Sequence, residues 1–151
     1  MKSLLVLLTL LLNGQASPTA GQWVLTGTGR FAVFADLGSI RREGDIAWLT
    51  SFQVVEEDFR IGGRTYSGGL SQWWFDCAAR MADRIDFISV NAEFGFGEGT
   101  AEPSPAYSAV AGGDAAELLA VACDPASAGA ADADNLVDAV RIGRAAMADA
   151  D

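Results

Sequence analysis

An apolar run from Leu4 to Leu12, broken only by Thr9, opens the chain behind Lys2. A positive first region, a short apolar stretch and then Asn13-Gly14-Gln15-Ala16 form the pattern of a secretory signal peptide, with cleavage expected after Ala16. Cleavage after Ala20 is the alternative, with Pro18 at the −3 position. The run is too short to span a bilayer, which takes ~20 residues. Downstream the pattern changes to period two. Trp23-Val24-Leu25-Thr26 reads as a first strand, and Phe31 to Asp36 as a second with Phe31, Val33 and Ala35 on one face and Phe34 on the other. Ile46 to Phe59 is the clearest strand: Ile46, Trp48, Thr50, Phe52 and Val54 share a face, with Ser51 and Gln53 opposite.

Glu43-Gly44-Asp45 predicts a tight turn, and the glycines between Ile61 and Gly69 predict a flexible hairpin connection. Leu70 to Cys77 is a further strand, with Trp73, Phe75 and Cys77 facing one way and Gln72, Trp74 and Asp76 the other. Arg80 to Ala92 reads as one more strand. Its pattern slips from Ile85 and Phe87 to Ile88 and Val90, which predicts a bulge. Gly95 to Gly99 and Pro103-Ser104-Pro105 belong to a loop. Asp114 is expected to cap a short helix ending at Cys123, with Glu117 as its capping-box partner. Pro125 to Gly129 reads as a linker. In the Ala- and Asp-rich stretch from 130 to 151, Leu136, Val140 and Met147 fall at helical spacing, which predicts either a docked amphipathic helix or a frayed tail. The expected fold class is α+β: a small antiparallel sheet with one or two packed C-terminal helices. The division expected is a leader at 1–16, a β-rich domain at 17–124 and a helix or tail at 125–151.

The charge narrows the partners. The whole chain carries −10. Lys2 goes with the leader, which leaves nine arginines against twenty carboxylates, a net −11. So acidic a protein repels phosphate backbones and anionic lipid, so neither nucleic acid nor a lipid surface is expected as partner. The two cysteines, Cys77 and Cys123, allow one connectivity, and export makes a disulfide the expected state, with two buried thiols as the alternative.

The order of several short motifs resembles the surface-adhesin protein E family of bacterial exported proteins. Trp23 opens the matching region. Phe34-Ala35-Asp36-Leu37-Gly38-Ser39-Ile40-Arg41 is similar to that family's aromatic-x-Asp-x-x-Ser-Ile-Arg segment. Trp48 begins a strand similar to its Val-Trp-x-Leu strand, and Tyr66-Ser67 resembles its Tyr-x-Ser position. Phe75-Asp76-Cys77 with Arg80 resembles its Phe-Asp-Cys motif with a shifted arginine. Gly95 to Gly99 stands at its glycine-rich loop, and Leu118 to Cys123 at its closing helix and second cysteine. The resemblance covers residues 23–124. It implies an antiparallel sheet with packed helices, a Cys77–Cys123 bridge and a binding role at the cell surface or in the periplasm. The chain departs from it in lacking a lipid-anchor cysteine and in its tail after Cys123.

Chemistry is restricted further. Without histidine there is no Ser-His-Asp or Cys-His nucleophile and no histidine zinc or haem ligand. A mature chain without lysine has no Schiff base and no P-loop lysine. Gly95-x-Gly97-x-Gly99 lacks phosphate-loop spacing and reads as a turn. The carboxylate pairs Asp83/Asp86 and Asp36/Asp76 are the remaining acid–base option, and Asp76 is better used on local backbone N–H groups. Asp132-x-Asp134-Asn135 hints at calcium without the glycine and terminal glutamate of an EF-hand loop, and helix capping by Asp132 or Asp134 accounts for it better. Neighbouring Trp73 and Trp74 must point to opposite faces of a strand, so one is core and the other is helix-covered, buried in a dimer or offered to a ligand. The reading is an exported binding protein without catalysis, cofactor or metal, periplasmic or at the cell surface. Trp73 and Trp74 are its candidate contacts to a protein partner in the envelope or outside the cell. The alternative is a periplasmic assembly protein acting as a homodimer.

Overall fold

The structure, a computed structural model, describes residues 19–150. The leader expected over 1–16 and the cleavage expected after Ala16 lie outside the described residues. Strand β1 (Ala20–Thr28) pairs antiparallel with β2 (Ala32–Asp36). The Asp36 carboxylate then caps a single 3-10 turn, accepting the Gly38 N–H at 3.0 Å, and also accepts the Gln22 N–H at 3.0 Å. Short β3 (Arg41–Glu43) folds back onto the long β4 (Ile46–Ile61) through the expected turn at Gly44, whose φ is +60°.

The glycine-rich connection expected from Ile61 to Gly69 is instead mostly strand. β4 and β5 (Arg64–Asp76) stay paired to Ile61↔Arg64, and only Gly62 and Gly63 turn the chain. Their φ values of +56° and +80° are the left-handed pair that a two-residue hairpin needs. The remaining glycines serve close approach. A Cβ on Gly68 would stand 2.1 Å from the Gln53 carbonyl oxygen.

The strand expected over 80–92 divides into β6 (Met81–Arg84) and β7 (Asp86–Asn91). Between the pairs Trp73↔Arg84 and Leu70↔Ile88, β5 has two residues and its partner three, so the slip is a bulge at Ile85. The Asp86 carboxylate fills the broken ladder by accepting the Gln72 N–H at 2.7 Å. Two-residue strands β8 (Thr100–Ala101) and β9 (Tyr107–Ser108) follow, then helix α1 (Asp114–Cys123), a 3-10 turn, β10 (Ala133–Asn135) and helix α2 (Leu136–Ala148). The sheet runs β10-β1-β2-β4-β5-β6-β9, with β3 on β4, β7 on β5 and β8 on β7. Its outermost strands are two or three residues long, which limits the edge offered to other chains.

Each face of the sheet carries one helix. On one side α1 packs Leu118, Leu119 and Ala122 against Val33, Ala35, Leu49, Trp73 and Phe75. On the other, α2 packs Leu136, Val140 and Met147 against Trp23, Phe34, Phe52 and Val54. Both faces of β4 are therefore buried, Ala47, Leu49 and Ser51 as well as Phe52 and Val54. Gly143 lets α2 come this close: a Cβ there would lie 2.8 Å from that of Ala32. The Ala- and Asp-rich segment is thus continuous with the sheet. Among the described residues no helix is long and apolar enough to cross a membrane.

Two helix caps differ from expectation. Gly113, in extended backbone, is the N-cap of α1, and Asp114 stands one place inside, where its charge still suits the helix dipole. Asn135 caps α2 by accepting the Asp138 N–H at 2.9 Å. Asp132 is drawn away to the Leu25 N–H at 2.7 Å. At the other end of α1, Cys123 is bonded to Cys77, which follows β5, across 46 positions of sequence. The Arg42 guanidinium donates to the Cys123 carbonyl and, at 2.9 Å, to that of Gly44.

Between Val54↔Gly68 and Phe59↔Tyr66, β4 has four residues against one in β5. This wide bulge carries Glu56-Glu57-Asp58. Arg144 of α2 holds it, donating to the Asp58 carboxylate and to the Val55 carbonyl at 3.1 Å, while the Ser67 hydroxyl donates to Asp58 at 2.8 Å. Arg144 first, and then Ser67, holds the Asp58 carboxyl below its ordinary pKa. A carboxylate depressed on folding stabilises the fold above its unfolded pKa, and that stability is lost as pH falls through the lower folded value. Asp58→Asn should therefore flatten the acid limb of the stability profile, measured by urea unfolding between neutral pH and about pH 3.

Candidate functional site

The α1 face of the sheet is only partly covered. Beyond Gln53 the floor is the backbone of Gly68 and Gly69, and Gly69 has no side chain to fill the space. Three phenylalanines from separate elements converge on it: Phe31 from the β1–β2 connection, Phe59 from beyond the β4 bulge and Phe87 from β7. Phe87 lies directly over Gly69, where a Cβ would meet its ring at 2.1 Å. The result is a groove of about 500 Å³, rimmed by Arg30, Val55, Glu56 and Glu57. That volume falls in the range of ligand-binding clefts.

Part of the molecule's apolar exposure lies here. Phe59 is 41% exposed, Phe87 36% and the adjoining Ile61 63%. Ile61 and Tyr66 continue the apolar wall beyond Phe59 and Phe87. Other exposed apolar residues, such as Val110 and Val137, stand elsewhere on the surface. Neither Phe59 nor Phe87 belongs to the packed core on either face of the sheet. Two of the three rings hold the chain's own cations: Arg30 lies 5.6 Å from the Phe31 centroid and Arg84 5.9 Å from that of Phe87. Phe59 packs instead beside Tyr66, with centroids 5.6 Å apart.

A second depression of about 490 Å³ lies between Trp73, Arg84, Glu102, Tyr107 and the start of α1. Two of its charges, Arg84 and Glu102, are matched with each other, while Asp83 and Asp114 also line it. Arg84 and Glu102 are 3.3 Å apart, and the Ser104 hydroxyl donates to Glu102 at 2.9 Å. Ser104 chiefly, with Arg84, keeps the Glu102 carboxyl below its ordinary pKa, while partial burial pushes the Tyr107 phenol up.

The two tryptophans singled out from the sequence separate as the strand pleat requires. Trp73 is 5% exposed under α1, stacked at 5.8 Å on Phe75, and its indole N–H donates to the Ser51 hydroxyl at 2.8 Å. Trp74 is half-buried on the opposite face, paired across the sheet with Trp48, whose ring carries Arg41 at 5.1 Å. Cys77 and Cys123 form the bridge described above.

Three of the four acid–base candidates have backbone duties, and the fourth, Asp83, lines the second depression. Asp36, Asp76 and Asp86 accept N–H groups of Gly38, Ala79 and Gln72, at 3.0, 2.8 and 2.7 Å. Among the described residues no three His, Cys, Asp or Glu side chains are grouped to hold a metal ion.

Sequence reasoning did not find the phenylalanine groove, because its rings come from positions 31, 59 and 87, with no local spacing to join them. The one available signal was Gly68-Gly69. Paired glycines inside a strand mark a place where something approaches the backbone closely. Family models, curated proteins and solved structures contain no match to this chain.

Proposed function

We propose that the chain is an exported, non-enzymatic binding protein that holds a protein partner, in the cell envelope or outside the cell, on the groove of Phe31, Phe59 and Phe87. One observation carries this reading: three aromatic rings converge on a glycine floor that neither helix covers, and two of them remain more than a third exposed. An uncovered aromatic cluster on a sheet stiffened by two helices and a disulfide is a suitable anchor, since a few aromatic residues commonly supply most of an interface's binding energy. Export is supported by the leader-like N-terminus and by the Cys77–Cys123 bridge, a bond characteristic of oxidising compartments. The adhesin-like resemblance points the same way. A catalytic role draws no support from carboxylates already engaged with backbone N–H groups.

The test is capture on immobilised extracellular-matrix proteins and on envelope fractions, followed by equilibrium binding to the captured partner. Phe59→Ala and Phe87→Ala should each weaken that binding by tenfold or more, as expected of an anchor contributing about 2 kcal/mol. A partner held with undiminished affinity by the doubly substituted protein would remove the groove from consideration.

A further inference from the structure

We infer that the groove takes a basic side chain, lysine or arginine, presented on an extended segment of the protein partner; this rests on the groove being the binding site. The chemistry of its walls selects the ligand. Phenylalanine rings offer π faces and no hydrogen-bond donor, so they attract cations and apolar groups and give a neutral polar ligand nothing to orient it. The rim adds Glu56 and Glu57, both exposed, and neither forms an ion pair among the described residues. Their neighbour Asp58 differs, being matched by Arg144 and Ser67.

The three rings are not equivalent. Phe31 and Phe87 already carry Arg30 and Arg84, whereas Phe59 has no cation of its own and stands three residues after Glu56 and two after Glu57. A lysine or arginine would lay its apolar stem along Phe59 and its charged head between Glu56 and Glu57. The space, about 500 Å³, accepts one or two side chains and is too small for a docked helix, which requires an extended carrier. The net charge of −10 would draw such a segment in from a distance.

The probe is a capped ten-residue peptide of lysine and leucine spaced by glycine and serine, compared with versions bearing glutamine or glutamate in place of each lysine. Titrated at low salt against the oxidised protein, the lysine peptide should bind at least tenfold more tightly than the glutamine peptide, and the glutamate peptide most weakly. Glu56→Gln combined with Glu57→Gln should erase that preference while far-ultraviolet circular dichroism stays unchanged. Phe59→Ala should weaken the lysine peptide tenfold. Equal binding of lysine and glutamine peptides, both still weakened by Phe59→Ala, would overturn the cation assignment and leave the groove standing. A lysine preference that survives the double substitution, or no binding of any peptide, would overturn it as well. The groove itself answers to the separate measurement with the captured partner.

Discussion

Replacing Cys77 and Cys123 together by serine lowers the unfolding free energy by about 4 kcal/mol on the chain-entropy account of a loop of this length. The bridge spans 46 positions, so without it the unfolded chain gains the freedom of most of β6 to α1. That stretch contains only short strands and loops before the helix. It depends on the tether to keep α1 over Phe75 and Leu49. Since small domains have only about 5–15 kcal/mol in total, the loss is a large fraction of what is available. Urea unfolding of the oxidised protein, the reduced protein and the double variant measures it. The last two should agree, and both should fall well below the first.

A chain ending at Asp124 should fail to fold. Its removal of β10 and α2 leaves Trp23, Phe34, Phe52, Val54 and Val90 facing water, all of them under 5% exposed in the intact protein. At roughly 2 kcal/mol for each large buried side chain, the deficit is of order 10 kcal/mol, comparable with the whole stability of a domain this size. Loss of the near-ultraviolet dichroism of the tryptophans, together with a denaturant profile lacking a cooperative transition, is the expected result. The truncated chain would be a disulfide-containing polypeptide without a packed second face.

These two results bear on how much of the fold its sequence displays. Period-two segments with large side chains were readable, as was the helical stripe of Leu136, Val140 and Met147, all three now buried. The face of β4 that meets α1 was less visible. It is formed by Ala47, Leu49 and Ser51, of which only Leu49 is a large apolar side chain, so it did not announce a second core face beside that of Trp48 and Phe52. Glycine density between Ile61 and Gly69 suggested a loose connection, yet Gly62-Gly63 alone turn the chain, while Gly68 and Gly69 make room for Gln53 and Phe87. The caps moved for a local reason: a nearby strand N–H, that of Leu25, claimed Asp132 before α2 could use it. The groove was least legible of all, since three strands and a bulge must be in place before Phe31, Phe59 and Phe87 become neighbours.

Photo-crosslinking in the producing cells puts that groove to the most direct test. A benzoylphenylalanine is placed in turn at Phe59, Phe87, Trp74 and Val137, and adducts are separated by mass after irradiation. Adducts to a second protein from positions 59 and 87, with none from 74 or 137, are the predicted outcome. Adducts arising from Trp74 alone, or from no position at all, would contradict the assignment of the phenylalanine groove as the surface through which this protein acts.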